Sequence, residues 1–254
     1  MSEGLTLNAL SLQLGTRCLC DQLSLQIQPG DCWAILGPNG SGKSTLLHTL
    51  AGLRSAAAGG IDLKGKSLAQ LTRRQIAQQL GLLLQDSHDP FPATVYETVM
   101  TGRHPFLSRW QQEGREDHQR AEAALALLEL SHMSQRMVHT LSGGERRRLG
   151  IATLVCQDPD IMLLDEPLNH LDLRHQQQLL LKIPAWQDQR KTLIMVLHEP
   201  NHALRFCNKS LLLYGDGRWQ AGDTASLLQA KTLSELYRCR ILEEKGQQRR
   251  WFFF

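Results

Sequence analysis

GPNGSGKST, Gly37 to Thr45, fits the pattern GxxxxGK[ST] and has the neighbours that pattern needs. The apolar run Cys32 to Leu36 precedes it as an expected strand. Leu46, Leu47, Leu50 and Leu53 follow on one face of an expected helix. In such a strand, loop and helix the glycines let backbone N–H groups curve around a polyphosphate. The helix start adds about half a positive charge, and Lys43 adds a full, mobile one. Gly37, Pro38, Asn39, Gly40, Ser41, Gly42, Lys43, Ser44 and Thr45 are therefore the candidate nucleotide-binding set, with Ser44 placed to ligate Mg²⁺.

Outward from this loop, the short apolar runs Leu80 to Leu84, Ile161 to Leu164, Thr192 to Leu197 and Leu211 to Tyr214 read as strands covered on both faces of a parallel sheet. An α/β layer architecture follows. The first sixty residues differ: Leu5, Leu7, Leu23, Leu25 and Ile27 alternate with polar positions, as in a sheet with one wet face. Gly52 to Gly60 reads as a connection into a further strand. From about residue 88 to 155 the text turns helical, and Thr94 with Glu97 and Ser142 with Glu145 have capping-box spacing. IMLLDEP, Ile161 to Pro167, delivers Asp165 and Glu166 at the carboxyl end of a buried strand, the edge where open α/β sheets hold ligands. Asp165 is placed for a Mg²⁺ shell and Glu166 for accepting a proton from an attacking water.

The 254 residues, 42% hydrophobic, suffice for a substantial core. The net charge of +3 excludes a polyelectrolyte and gives no footprint for nucleic acid. The longest apolar runs fall far short of the ~18 residues of a membrane span, and the amino end lacks a secretory pattern. A soluble, unexported protein is the expectation. The six cysteines contain no CxxC pair and read as reduced thiols, with Cys18 and Cys20 structural on one strand face. LSGGE, Leu141 to Glu145, forms a second phosphate-ready helix start. One polyphosphate does not need two, so two chains facing head to tail, each lending Ser142 to the other's Lys43 site, is the economical arrangement.

With these motifs in order the sequence resembles the ATP-binding subunit of ABC transporters across nearly its whole length. Gly37 to Thr45 resembles Walker A, Gln85 the Q-loop, Leu141 to Glu145 the signature, Ile161 to Glu166 Walker B, Asn169 to Asp172 the D-loop, and His198 the switch histidine. The resemblance implies a P-loop NTPase (RecA-like) core with an antiparallel β subdomain and an inserted α-helical subdomain. As one domain over residues 1–254, it divides into a core (1–87 and 156–230), a helical subdomain (88–155) and a tail (231–254). It implies ATP and Mg²⁺, with Ser44, Gln85 and Asp165 around the metal and Lys43, Gln85, Glu166 and His198 as catalytic groups. Ser142, Gly143 and Gly144 would bind the γ-phosphate of the other subunit of a homodimer, with Asn169 and Asp172 at the interface. Transmembrane permease subunits, an extracytoplasmic substrate-binding protein and a peripheral place on the cytoplasmic face of the inner membrane are implied as well. TVYETVMTGRHPF (Thr94 to Phe106) and the closing GDTASLLQAKTLSELYRCRI resemble the subgroup that imports iron-siderophore, haem and vitamin B12 complexes. A soluble ABC ATPase outside transport, or a cassette serving another metal or an oxyanion, are the alternatives within the fold. A nucleotide-gated module without turnover is the rival outside enzymes.

Some residues depart from the family pattern. Leu14 stands where an aromatic ring usually stacks on adenine, and Arg17 is the candidate replacement. Arg147 stands where Gln is common, Leu168 where Thr is common, and Pro200 follows the switch histidine. HEPNH, His198 to His202, satisfies the HExxH zinc pattern, yet its setting after a buried strand and its proline oppose a helical zinc site. Arg146 to Arg148, and Arg73 with Arg74, read as exposed, solvated helix faces. In the tail, Arg249 and Arg250 beside WFFF suggest a packed or frayed terminus, with a membrane or partner surface as the alternative.

Overall fold

The computed structural model describes residues 4–85, 92–108, 110–245 and 250–253. Strands β1 (Leu5–Leu14) and β2 (Arg17–Ile27) pair antiparallel, and β3 (Cys32–Leu36) runs through the glycine loop into helix α1 (Lys43–Leu50). Next come β4 (Ala58–Leu63), β5 (Lys66–Ser67), α2 (Arg73–Ala77) and β6 (Leu80–Leu83). Helices α3 (Val95–Met100), α4 (Arg115–Leu127) and α5 (Gly143–Gln157) pack on one another before β7 (Ile161–Leu164). The chain continues through α6 (Leu173–Leu180), α7 (Ile183–Asp188), β8 (Thr192–Val196), α8 (Pro200–Phe206), β9 (Lys209–Leu213) and β10 (Trp219–Asp223). It closes with α9 (Thr224–Leu227), α10 (Ala230–Tyr237), β11 (Leu242–Lys245) and β12 (Arg250–Phe253).

Six strands form one sheet in the order β10-β9-β3-β8-β7-β6, parallel except for β10. Because side chains alternate across a strand, each face of this sheet feeds its own core. Cys32, Ala34, Leu36, Met162, Leu164, Leu193 and Met195 face one cluster with the helices. Trp33, Ile35, Ile161, Leu163, Ile194 and Val196 face the other, shared with α1 and the antiparallel sheet β2-β1-β4-β5. Burial on both faces is why these runs are continuously apolar; each buried Leu, Ile, Met or Val among them contributes about 1.5 to 3 kcal/mol.

The alternation in β1 breaks once. Leu5 and Leu7 point inward at odd positions, Leu10 and Leu12 at even ones, and the phase shift falls at Ala9, a bulge with φ +45°. Gly59 of β4 lies so close that a Cβ there would overlap the Ala9 carbonyl. Both capping boxes form: the Thr94 hydroxyl accepts from the Glu97 N–H and the Ser142 hydroxyl from the Glu145 N–H. Helix α5 runs to Gln157, two residues past the expected end of the helical stretch. The expected start near residue 88 lies outside the described residues.

Beyond α10 the tail closes in the antiparallel pair β11–β12. Phe252 is buried in the helical-side core while Trp251 and Phe253 face outward, which is how three successive aromatics are accommodated. Its anchor is Asn201 of α8, whose side chain accepts from the Phe252 N–H (2.8 Å) and donates to the Phe252 carbonyl (3.1 Å). Arg249 lies outside the described residues.

Candidate functional site

The parallel strands end on one edge, and the four segments leaving that edge make the site. After β3 the chain turns through Gly40 (φ +74°) and Gly42 (φ +101°), conformations that suit glycine, and α1 starts at Lys43. The Lys43 ammonium is buried and donates to the carbonyls of Gly37 (2.8 Å) and Pro38 (2.9 Å). Burial lowers its pKa, opposed by the charges of Glu166 and Asp165. A cleft of about 390 Å³ opens beside this loop. Its walls include Leu14, Asn39, Gly40, Gly42, Lys43, Ser44, Thr45, Gln85, Glu166 and His198.

After β7, Asp165 is 1% exposed and neither carboxylate oxygen has a hydrogen-bond partner. Burial pushes its pKa up, with the neighbouring Glu166 charge adding to the effect and the Ser44 hydroxyl, His48 and Arg147 opposing it. Two orphaned anionic oxygens beside a loop serine fit a divalent cation, which such hard oxygen donors favour. Glu166 (φ +50°) turns out of the strand into the cleft. Its Oε1 lies 2.8 Å from His198 Nε2, and its Oε2 accepts from Gln85 Nε2 at 3.0 Å and from Asn169 Nδ2. Gln85 leaves β6 and His198 leaves β8, the strands on either side of β7, so the sheet order itself brings both to Glu166.

Residues 20–169 match the family described as ABC transporter. The chain belongs to that family. The ABC relatives include the ferric enterobactin transport ATP-binding protein FepC of Escherichia coli (strain K12). It is 35% identical over 241 residues, covering 92% of this chain and 88% of that one. The hemin import ATP-binding protein HmuV of Pseudomonas fluorescens (strain Pf0-1) is 36% identical over 247 residues, covering 94% of each. Among solved structures, an inward-facing ABC transporter described as of metal-chelate type superposes with a TM-score of 0.83 at 31% identity. The match covers 98% of this chain and 95% of the other. The fold is accordingly that of a P-loop NTPase.

The structure brings together the residues expected as Walker A, Walker B, Q-loop and switch histidine. The signature stands apart: Ser142, Gly143 and Gly144 are not in the walls of the phosphate-loop cleft, and Gly143 lines a separate cleft of about 430 Å³ with Gln85 and His170. Asp172 caps α6 by accepting from the His175 N–H, which holds its pKa down. Leu14 is 55% exposed on the rim of the phosphate-loop cleft. Arg17 is turned to the carbonyl of Gly215, to which Nε and Nη2 donate at 3.0 and 2.8 Å. His198 precedes α8, Glu199 caps that helix and Pro200 occupies its first turn, so HEPNH straddles a loop and a helix rather than lying within one.

One expectation is corrected. Arg147 is not on a solvated face: it is 6% exposed and donates to the carbonyls of Leu84, Gln85 and Asp165. Strand ends at a sheet edge leave carbonyls without ladder partners, and a long cation from the facing helix reaches them. Asn169 as a support for Glu166 was also missed. Its place three residues after Glu166, in a turn that its own N–H closes onto the Glu166 carbonyl at 3.1 Å, was the available signal.

Proposed function

We propose that this ABC subunit hydrolyses ATP to drive import of a metal chelate, of the ferric siderophore, haem or cobalamin kind, through a membrane permease. Its relatives' transport of ferric enterobactin and hemin supports the cargo class. The convergence of Gln85, Asn169 and His198 on Glu166 at the mouth of the phosphate loop carries the chemistry.

In this reading Gly37 to Thr45 wrap the phosphates with backbone N–H groups, and Lys43 transfers its ammonium from loop carbonyls to them. Ser44, Asp165 and Gln85 would hold Mg²⁺, which would supply neutralisation of phosphate charge. Glu166 Oε accepts the proton of the attacking water, and His198 holds that carboxylate and meets the γ-phosphate. Leu14 covers the base in place of a ring. Two copies face each other, with Ser142, Gly143 and Gly144 completing the partner's site and Asn169 and Asp172 at the seam. That the signature lies away from its own chain's cleft supports this arrangement. The core (1–87, 156–230), the helical subdomain (88–155) and the tail (231–254) would then move as parts of one machine. The machine would sit on the cytoplasmic face of the inner membrane, fed by an extracytoplasmic binding protein.

Purification from native membranes tests the reading. A permease should copurify, and vesicles holding the complex should take up a ferric siderophore, haem or cobalamin only with ATP. ATP hydrolysis without a membrane partner, or uptake indifferent to ATP, would overturn it.

A further inference from the structure

Arg147 lies on α5, five residues after Ser142, and its buried guanidinium touches three main-chain carbonyls. Nη1 donates to Leu84 and, at 3.3 Å, to Gln85; Nη2 donates to Asp165. These carbonyls leave the carboxyl ends of β6 and β7, which are neighbours in parallel register with Leu83 opposite Leu164. One side chain thus ties the exits of two strands. The side chains at those exits are Gln85 and Glu166, whose amide and carboxylate meet at 3.0 Å.

We propose that Arg147 is a positioning residue for hydrolysis: by fastening the β6 and β7 exits to α5 it holds the Gln85 amide on the Glu166 carboxylate. This rests on the reading of Glu166 and Gln85 as working groups. The chemistry of the fork shows what arginine adds in this chain at a position where Gln is common. A guanidinium is planar, permanently charged and spreads its donors across several ångströms, so it serves carbonyls on both strands at once. A lysine ammonium is a point charge, and a glutamine offers two donors from one nitrogen. Neither spans the two exits. Loss of the tie lets each exit relax separately, and misplacement of a catalytic group by about 1 Å can cost on the order of a hundredfold in rate.

The experiment is a double-mutant cycle in the assembled transporter. R147K and R147Q are measured alone and with Gln85→Ala, reading kcat, KM, thermal midpoint and magnesium-free binding of a fluorescent ATP analogue. R147K should bind the analogue within about twofold of wild type and keep KM within about threefold, while kcat falls about tenfold or more. In the Gln85→Ala background the same substitution should cost less than about threefold, because no amide is left to misplace. A purely structural arginine would give equal losses in both backgrounds, or a lowered midpoint with weakened analogue binding, and either result overturns the proposal. If R147Q fails to fold, R147K carries the cycle. Glu166→Gln in parallel separates the two readings. Wild-type hydrolysis there refutes the base, whereas additive losses in the cycle refute the tie.

Discussion

Glu166→Gln isolates proton acceptance from nearly everything else the carboxylate does. The amide is isosteric with the carboxylate. Its remaining oxygen can still accept from Gln85 Nε2 and Asn169 Nδ2, and its NH₂ faces His198 Nε2, which accepts when the imidazole carries its proton on Nδ1. The cradle survives, so the thermal midpoint should move by less than about 2 °C, consistent with a change below about 1 kcal/mol in a domain of this size. A positioned general base contributes about 10²- to 10⁴-fold, so kcat should fall by that factor, about 3 to 5.5 kcal/mol in activation free energy. Nucleotide affinity should hold or tighten, since a negative charge near Lys43 and the phosphates is removed. Single-turnover phosphate release and equilibrium binding of a fluorescent ATP analogue read the two quantities separately. Phosphate release within tenfold of wild type would show that some other group takes the proton.

Leu14→Tyr should tighten ATP about 5- to 150-fold by supplying a ring for the base, and calorimetry showing no gain would place the base elsewhere. Phe252→Ala should cost about 3 to 5 kcal/mol, a fall of about 6 to 20 °C in the midpoint; a drop under 3 °C would mean that the tail is not part of the core. The Arg103 guanidinium (2.8 Å) and the Gly114 N–H (2.9 Å) hold the Asp117 carboxyl below its usual range. A folded-state value below the unfolded one adds stability that is complete above about pH 5 and is lost as pH falls through the folded value. Asp117→Asn should therefore cost about 3 kcal/mol in urea unfolding at pH 7. The gap to wild type should narrow as pH falls below about 4 and close only below the folded value, and a gap independent of pH would contradict the ion pair.

What the sequence disclosed followed from chemistry that repeats locally. The runs Cys32 to Leu36 and Ile161 to Leu164 had to be strands covered on both faces, because nothing polar interrupts them, and β3 and β7 are fully buried. The phosphate loop was legible because its glycines, which take positive φ at least cost, recur at fixed spacing before Lys43, and Gly40 and Gly42 adopt such φ values. Arg147 was not legible. Its neighbours Arg146 and Arg148 make the triplet look solvated, and its need for burial arises from carbonyls at strand exits 63 residues earlier and 18 later, as a tertiary demand. The bulge at Ala9 escaped for a related reason: a phase slip in β1 is set by where β4 and Gly59 lie, not by β1 itself. For the tail, the sequence suggests a packed or frayed terminus, and its β period becomes visible only with its partner β11 and with Asn201 in place.

The grip of Asn201 on the backbone at Phe252 has a meaning during synthesis. His198 leaves β8 about fifty residues before that grip can form, so the ribosome emits the whole chemical centre before it emits the strand that braces α8 beside it. A nascent chain folding from its amino end would hold a finished phosphate loop and an unbraced α8 until β12 emerges. Packing of α8 beside His198 is thus completed from a segment about fifty residues further along the chain.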